Sequence, residues 1–181
     1  MTTFGKAWLI NNKYKMRFEN ISLGKNVEID PSTNFNNVII GDNVKIAKRC
    51  SVFGGPDNVL EIGKETYVGM NTIINGFNAG VIIGANVSIA QNVNIMADSG
   101  PNASLNMQNV FPIEKGNIKI GDHSWIGASA IIMPDVTLGK YCVVAANSFV
   151  NKSFPAFSII GGNPARLIRM FTEEEKKKIL K

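Results

Sequence analysis

Large aliphatic residues recur every sixth position along most of this chain. The longest run is Ile120, Ile126, Ile132, Leu138, Val144 and Val150. The same spacing holds at Ile83, Ile89 and Ile95 and at Ile62, Val68 and Ile74, and more weakly at Leu23, Ile29, Phe35 and at Ile40, Ile46, Val52. Neither the helical period of 3.6 nor simple alternation describes such a pattern. A six-residue unit made of a short strand and a corner cannot bury its own aliphatic. Stacked units can, with the aliphatics in an inward column and each strand hydrogen-bonded to the coils above and below. A second position supports this reading. Four places after each aliphatic stands a small or β-branched residue, as at Val44, Cys50, Thr66, Thr72, Val87, Val93, Ser124, Ala130, Val136, Cys142 and Ser148. Gly commonly follows the aliphatic, as at Gly41, Gly63, Gly69, Gly84, Gly121, Gly127 and Gly139, where it is expected to supply the backbone angles of a corner.

The register slips after Phe35, Val52, Ile74 and Ile95, in each case after three hexads. Three hexads make one coil, so the tube has a triangular cross-section and every insertion leaves from the same corner. Six coils, starting at Leu23, Ile40, Ile62, Ile83, Ile120 and Leu138, stack to roughly 29 Å at about 4.8 Å per strand spacing. The longest insertion, 96–119, is the obvious functional loop. The chain thus divides into an N-terminal segment (1–22), an all-β solenoid (23–160) and a tail (161–181). The tail ends in TEEEKKKILK, a short helix with Thr172 as N-cap, acids at its positive end and lysines towards its negative end.

Composition narrows the function. Charged residues are only 18%, and a net charge of +5 over 181 residues is too weak for a dedicated nucleic-acid binder but suits anionic small molecules. The first residues lack the unbroken apolar centre of a signal peptide and no run of 18 apolar residues occurs, so a cytoplasmic protein without membrane insertion is expected. Two Cys and one His cannot build a disulfide framework, a four-ligand Cys/His zinc site or a three-His catalytic zinc, so no metal is expected. Cys50 and Cys142 fall at the small fourth position and read as core spacers.

The tandem IGDHSWIGASAIIMPDVTLGKYCVVAANSFV and the tail SIIGGNPARLI resemble the hexapeptide-repeat acyltransferases, most closely the branch that acetylates sugars, antibiotics and polysaccharide precursors. The resemblance covers roughly residues 23–170. It implies a left-handed parallel β-helix, a homotrimer, acetyl-coenzyme A as co-substrate in a groove between neighbouring tubes, and an acceptor held under the long loop. On this resemblance Trp125 borders the cleft near the thiol end of the coenzyme. Gly127, Ala128, Ala145 and Ala146 match small positions beside the pantetheine arm, and Asn151, Lys152 and Arg166 match the region of its adenine and phosphates. Ser99 and Asn102 are candidates to hydrogen-bond the acceptor. Small residues also serve corner geometry, and exposed cations also serve solvation.

The loop departs from that family. Sugar and antibiotic acetyltransferases usually carry a loop His that deprotonates the acceptor hydroxyl, whereas this loop reads IMADSGPNASLNMQNVFP. A hydroxyl attacks a thioester slowly unless its proton is removed. Two candidates are left. His123, the only His in the chain, shares a hexad with Trp125 and is the first expectation; Asp98 is its competitor. Asp135 in MPDVTLG has no assigned role. The expected activity is acetyl transfer from acetyl-coenzyme A to a sugar hydroxyl in surface glycan assembly. The alternatives are N-acetylation of a nucleotide-linked amino sugar, or a catalytically silent solenoid that binds a glycan. A γ-type carbonic anhydrase is excluded by the His count.

Overall fold

The inward column is built as the spacing requires. In the computed structural model, which describes residues 20–180, Ile126, Ile132, Leu138 and Val144 are all at most 1% exposed, as are Ile83, Ile89, Ile95, Ile118 and Ile120. The fourth-position residues join them, from Val44 and Thr66 through Ser124 to Ser148. The exceptions lie in the first described coil, where Leu23 is 49% exposed and Ile29 and Phe35 are only partly buried. Residues 1–19 of the N-terminal segment and Lys181 lie outside the described residues.

Short strands, of two to four residues until the last two, alternate around three faces. The first face stacks six parallel strands, from Ile21–Leu23 to Thr137–Leu138. The second runs from Glu28–Ile29 through Trp125–Ile126 and Val143–Val144 to Ser158–Gly162. Ala165–Met170 then turns back antiparallel as its eighth strand. The third stacks six strands from Asn34–Asn36 to Phe149–Val150. The result is a left-handed parallel β-helix of about six turns. Every insertion leaves the third corner, between the third face and the first, at residues 55–59, 77–80 and 97–117.

The corners differ from the expectation in one respect. The glycines after the aliphatics do not supply left-handed backbone; among the described glycines only Gly162 has such a φ, at 103°. Among the described residues fifteen non-glycine residues take φ near +50 to +64° instead, and eight of them are Asn. Asn tolerates that region better than other side chains because its amide bonds locally. Here the amides also bond from coil to coil: Asn26 donates to Asn43 at 3.1 Å, Asn43 to Glu65 at 2.6 Å, and Asn71 to Asn92 at 3.1 Å. The glycines are needed for clearance. A Cβ on Gly69 would stand 2.5 Å from the Ala90 carbonyl carbon, and one on Gly127 would stand 2.6 Å from the Ala146 nitrogen.

The tail packs as its charge order predicts. Thr172 caps Glu173–Ile179 in a reciprocal capping box with Glu175. Arg169 forks onto Glu175 at 2.7 and 2.9 Å. Phe171 meets Phe157 edge-on at 6.3 Å, and Lys176 lies over the same ring at 5.3 Å. Among the described residues no helix is long and apolar enough to cross a membrane.

Two outcomes follow from this packing. Ile132→Ala removes a fully buried side chain from the column and is expected to lower unfolding free energy by about 2–5 kcal/mol in chemical denaturation. The Arg169 guanidinium and the Thr172 backbone N–H hold the Glu175 carboxyl down at about 2, below its usual 4.5. A depressed acid stabilises the fold above its unfolded pKa and loses that contribution as pH falls through its folded one. Docking of the C-terminal helix is therefore expected to weaken between about pH 4.5 and 2. Carboxyl NMR titration checks this, and Arg169→Ala should return Glu175 towards the ordinary value.

Candidate active site

The long loop is tied down at its root and again at its tip. Asp98–Ser99 pairs antiparallel with Glu114–Lys115. A four-residue helix, Leu105–Gln108, is capped by Ser104, and the Gln108 amide donates to the Pro101 and Asn102 carbonyls at 3.1 and 3.3 Å. Asn102 also closes a turn by donating its N–H to Gly100. The segment SGPN thus shapes the turn, with Ser99 half-buried in the ladder and the Asn102 side chain exposed.

Asp98 sits at the loop root on the third corner, half-buried. Its Oδ2 accepts from the Asn78 amide at 2.7 Å and its Oδ1 from the Asn75 amide at 3.2 Å. Asn75 in turn accepts the Phe77 N–H at 2.9 Å. Two side-chain amides one coil away therefore orient a carboxylate at the mouth of the loop. Sequence reasoning missed Asn75 and Asn78. Their signal was the register slip after Ile74, one coil before the loop, where Asn75 stands in the strand Ile73–Gly76 and Asn78 in the short insertion after it.

His123 lies elsewhere. It occupies the first corner, between the first and second faces, with φ 58°. Its ring stacks flat on Tyr141 at 4.8 Å, and Tyr141 stacks on Phe157 at 5.1 Å. Beside it Lys140 holds Asp122 at 2.8 Å. That contact and the Ala85 N–H keep the Asp122 carboxyl below its ordinary range. His123 and Asp98 are thus on different corners of one tube.

The remaining candidates divide the same way. Trp125 projects from the second face, 57% exposed, directly in register with Ser88 and Val143. Gly127 and Ala128 follow it, and Ala145 and Ala146 lie one coil on, with the Gly127 N–H bonded to the Val144 carbonyl and that of Ala145 to Ile160. Arg166 stands on the last strand of the same face, its guanidinium donating to the Ala165 carbonyl at 2.9 Å. Asn151 and Lys152 belong to the third corner with Asp98, and Lys152 lies 5.5 Å over the Phe154 ring. The candidates therefore fall into two groups on one tube, one along its second face and one along its third corner.

Cys50 and Cys142 are 1% and 0% exposed. Their thiols point to the Gly69 and Pro155 carbonyls at 3.2 Å, and burial pushes both thiols up. A buried neutral thiol is a poor nucleophile, so both are core spacers. Among the described residues no three His, Cys, Asp or Glu side chains converge on a point.

Comparison with known proteins agrees with this architecture. Residues 117–152 match the family described as bacterial transferase hexapeptide (six repeats), and residues 59–97 match the hexapeptide repeat of succinyl-transferase. The chain is 31% identical over 168 residues to dTDP-4-amino-4,6-dideoxy-D-glucose acyltransferase from Escherichia coli, covering 88% of this chain and 84% of that protein. It is 34% identical over 118 residues to the galactoside O-acetyltransferase of Escherichia coli strain K12, covering 65% of this chain. That match spans 57% of the galactoside enzyme, and a match to a Saccharomyces cerevisiae relative spans 63% of that protein. AntD, an N-acyltransferase from Bacillus cereus solved with dTDP and 3-hydroxybutyryl-coenzyme A, superposes with a TM-score of 0.73 at 27% identity, covering 88% of this chain and 89% of that one. AntD variants altered at a serine, and at an aspartate ten residues further on, superpose equally well.

Proposed function

The chain belongs to the hexapeptide-repeat transferases, and from that premise we propose that it transfers an acyl group from coenzyme A to the amino group of a nucleotide-linked sugar. The observation that carries the choice of amine over hydroxyl is Asp98, a carboxylate held by two amides where an imidazole would be needed for an alcohol. A carboxylate is a weak base for a sugar hydroxyl, but an amine attacks with its own lone pair, and the carboxylate need only accept the acidic proton its nitrogen carries once the bond to carbon forms. The relative matched over nearly its whole length acylates a dTDP-linked 4-amino sugar by name, which supports the same class. Ser88 and Asp98 stand ten residues apart, the separation of the two altered AntD positions.

In this reading the neutral amine attacks the thioester carbonyl carbon with its lone pair, and Asp98 takes the proton that the nitrogen sheds as the carbon–nitrogen bond forms. The tetrahedral intermediate collapses with cleavage of the carbon–sulfur bond, and the thiolate leaves with that proton to give an amide and free coenzyme A. Trp125 covers the thiol end of the coenzyme and excludes water. Gly127, Ala128, Ala145 and Ala146 leave room for the pantetheine arm, while Arg166 of one chain and Asn151 and Lys152 of its neighbour lie towards the phosphates. Ser99 and Asn102 shape the loop over the acceptor. His123, occupied by stacking on Tyr141, flanks the cleft and is not assigned the proton.

A homotrimer completes the site. No strand residue of the third face is charged, and its outward side chains include Phe53, Ile73, Met96, Ile131 and Phe149. Depletion of charge is what the core of a subunit interface requires. A head-to-tail contact through this face brings the Asp98 corner of one chain beside the Trp125 face of the next, and closes after three copies. A cytoplasmic location fits a nucleotide-activated substrate.

Turnover with a dTDP-4-amino-sugar and acetyl-coenzyme A, beside the corresponding 4-hydroxy sugar and simple sugars, tests the reading. Asp98→Asn is expected to lower kcat by about 10² or more and His123→Ala by much less; acylation of hydroxyl acceptors alone returns the O-acetyl reading, and binding without turnover returns the silent solenoid. Subunit mixing tests the shared cleft. Refolding equal amounts of Asp98→Asn and Trp125→Ala chains together is expected to restore about a quarter of the wild-type sites, since each cleft draws one half from each of two neighbours.

A further inference from the structure

The second face carries a groove that none of the roles above uses. It is an open groove of about 640 Å³ across the first three described coils, and its lining includes Glu28, Asp30, Lys45, Lys48, Tyr67 and Met70. Its position is fixed by register. Lys45 pairs with Tyr67, Tyr67 with Ser88 and Ser88 with Trp125, so the four side chains form one outward row at consecutive coil heights. Tyr67 is 46% exposed and Met70 42%, an open apolar shelf between the cations and Ser88.

Resting on the reading that the acceptor is a nucleotide-linked amino sugar, we propose that this groove is the subsite for the nucleoside diphosphate of that acceptor. If the amine stands at the coil of Ser88 and Asp98, the diphosphate lies beyond the width of a pyranose ring and a glycosidic oxygen. Two coil steps of about 4.8 Å each cover that distance and reach Lys45 and Lys48. Tyr67, on the intervening coil, meets the hexose ring with its aromatic face. The charges are already arranged for exchange. Lys45 is paired with Glu28 at 3.2 Å in an exposed contact, and such a pair contributes little to stability, so the ammonium is readily redirected to a phosphate. Lys48 and Arg49 flank Asp30, whose carboxyl is held low first by hydrogen bonds from Ser32 and then by these two cations. Glu28 and Asp30, at the far end of the groove, are acceptors for the N–H and hydroxyl groups of a nucleoside. Coenzyme A, on the other side of Trp125, leaves this half of the row to the acceptor.

Calorimetry on the full chain with dTDP and, separately, with coenzyme A tests the assignment. The Lys45→Ala/Lys48→Ala double variant is expected to bind dTDP at least about tenfold more weakly while coenzyme A affinity stays within about twofold. Tyr67→Ala should raise KM for a dTDP-4-amino-sugar more than it lowers kcat. Lys64→Ala, which removes one lysine charge at the first corner, should change neither affinity, and unchanged melting temperatures show that the variants fold. Unaltered dTDP affinity in the double variant, or a loss of coenzyme A affinity instead, overturns the proposal. If the wild type acylates the amino sugar and the double variant keeps the same KM, the groove assignment alone falls. If the wild type binds coenzyme A but not dTDP, the acceptor class falls and the groove assignment with it.

Discussion

Every coil must lie one strand spacing from the next, and that constraint governs the rest of the molecule. The backbone ladders that enforce it, such as the Ser88 N–H to Ser124 carbonyl and the Trp125 N–H to Cys142 carbonyl bonds at 2.9 and 2.8 Å, leave no slack at the corners. A residue at the turn must take left-handed backbone, its neighbour must often lack a Cβ, and the residue pointing inward must be small. Buried Thr and Ser are tolerated there because their hydroxyls join the ladder: Thr66 donates to Gly84 and accepts from Val87, and Ser124 accepts from Cys142. No buried side-chain polar atom among the described residues is left without a partner, as the low dielectric of such a core demands.

The same constraint decides where chemistry can reside. A side chain within a strand points either into a filled core or straight outward, and outward residues form rows at a fixed spacing. Catalytic groups therefore cannot converge from several directions within one tube. They need an insertion that lifts a residue off the lattice, and a second tube to face it. The third corner supplies the first requirement through the loop that carries Asp98, and the uncharged third face offers a surface for the second. Long polymers of identical coils would have neither feature, which is why the irregular places in this repeat hold the functional candidates.

Much of the fold was legible because a spacing of six leaves few solutions. The three-face geometry, the shared corner of the insertions and the inward burial of Ile126 and Ile132 all follow from counting. The role of glycine was misread because clearance against the next coil cannot be seen in one coil's sequence. Left-handed corners occupied by Glu65, Tyr141 or Phe157 likewise carry no local signature. At the site, Asp98 could be found because it lies in the loop. Its partners Asn75 and Asn78 are more than twenty and exactly twenty residues away in sequence, and only the stacking of coils brings their amides to it.

The position of His123 shows how the lattice can make one residue type ambiguous. As the lone imidazole in a chain of acyltransferase character, it invites a catalytic role. Yet the first corner is a column, and each member meets the next at the coil spacing. Once Tyr141 and Phe157 occupy that column, a flat ring at 123 gains stacking at 4.8 Å that Asn86, the preceding member, could not provide. Stacked aromatics contribute about 0.5–1.5 kcal/mol beyond the area they bury, which is reason enough for an imidazole here. The continuation through Phe157 to Phe171 then links the ladder to the C-terminal helix. The ring is thus accounted for by packing, while Asp98 stands off the lattice at the loop root, held by the Asn75 and Asn78 amides, where the proposed acceptor amine would meet it.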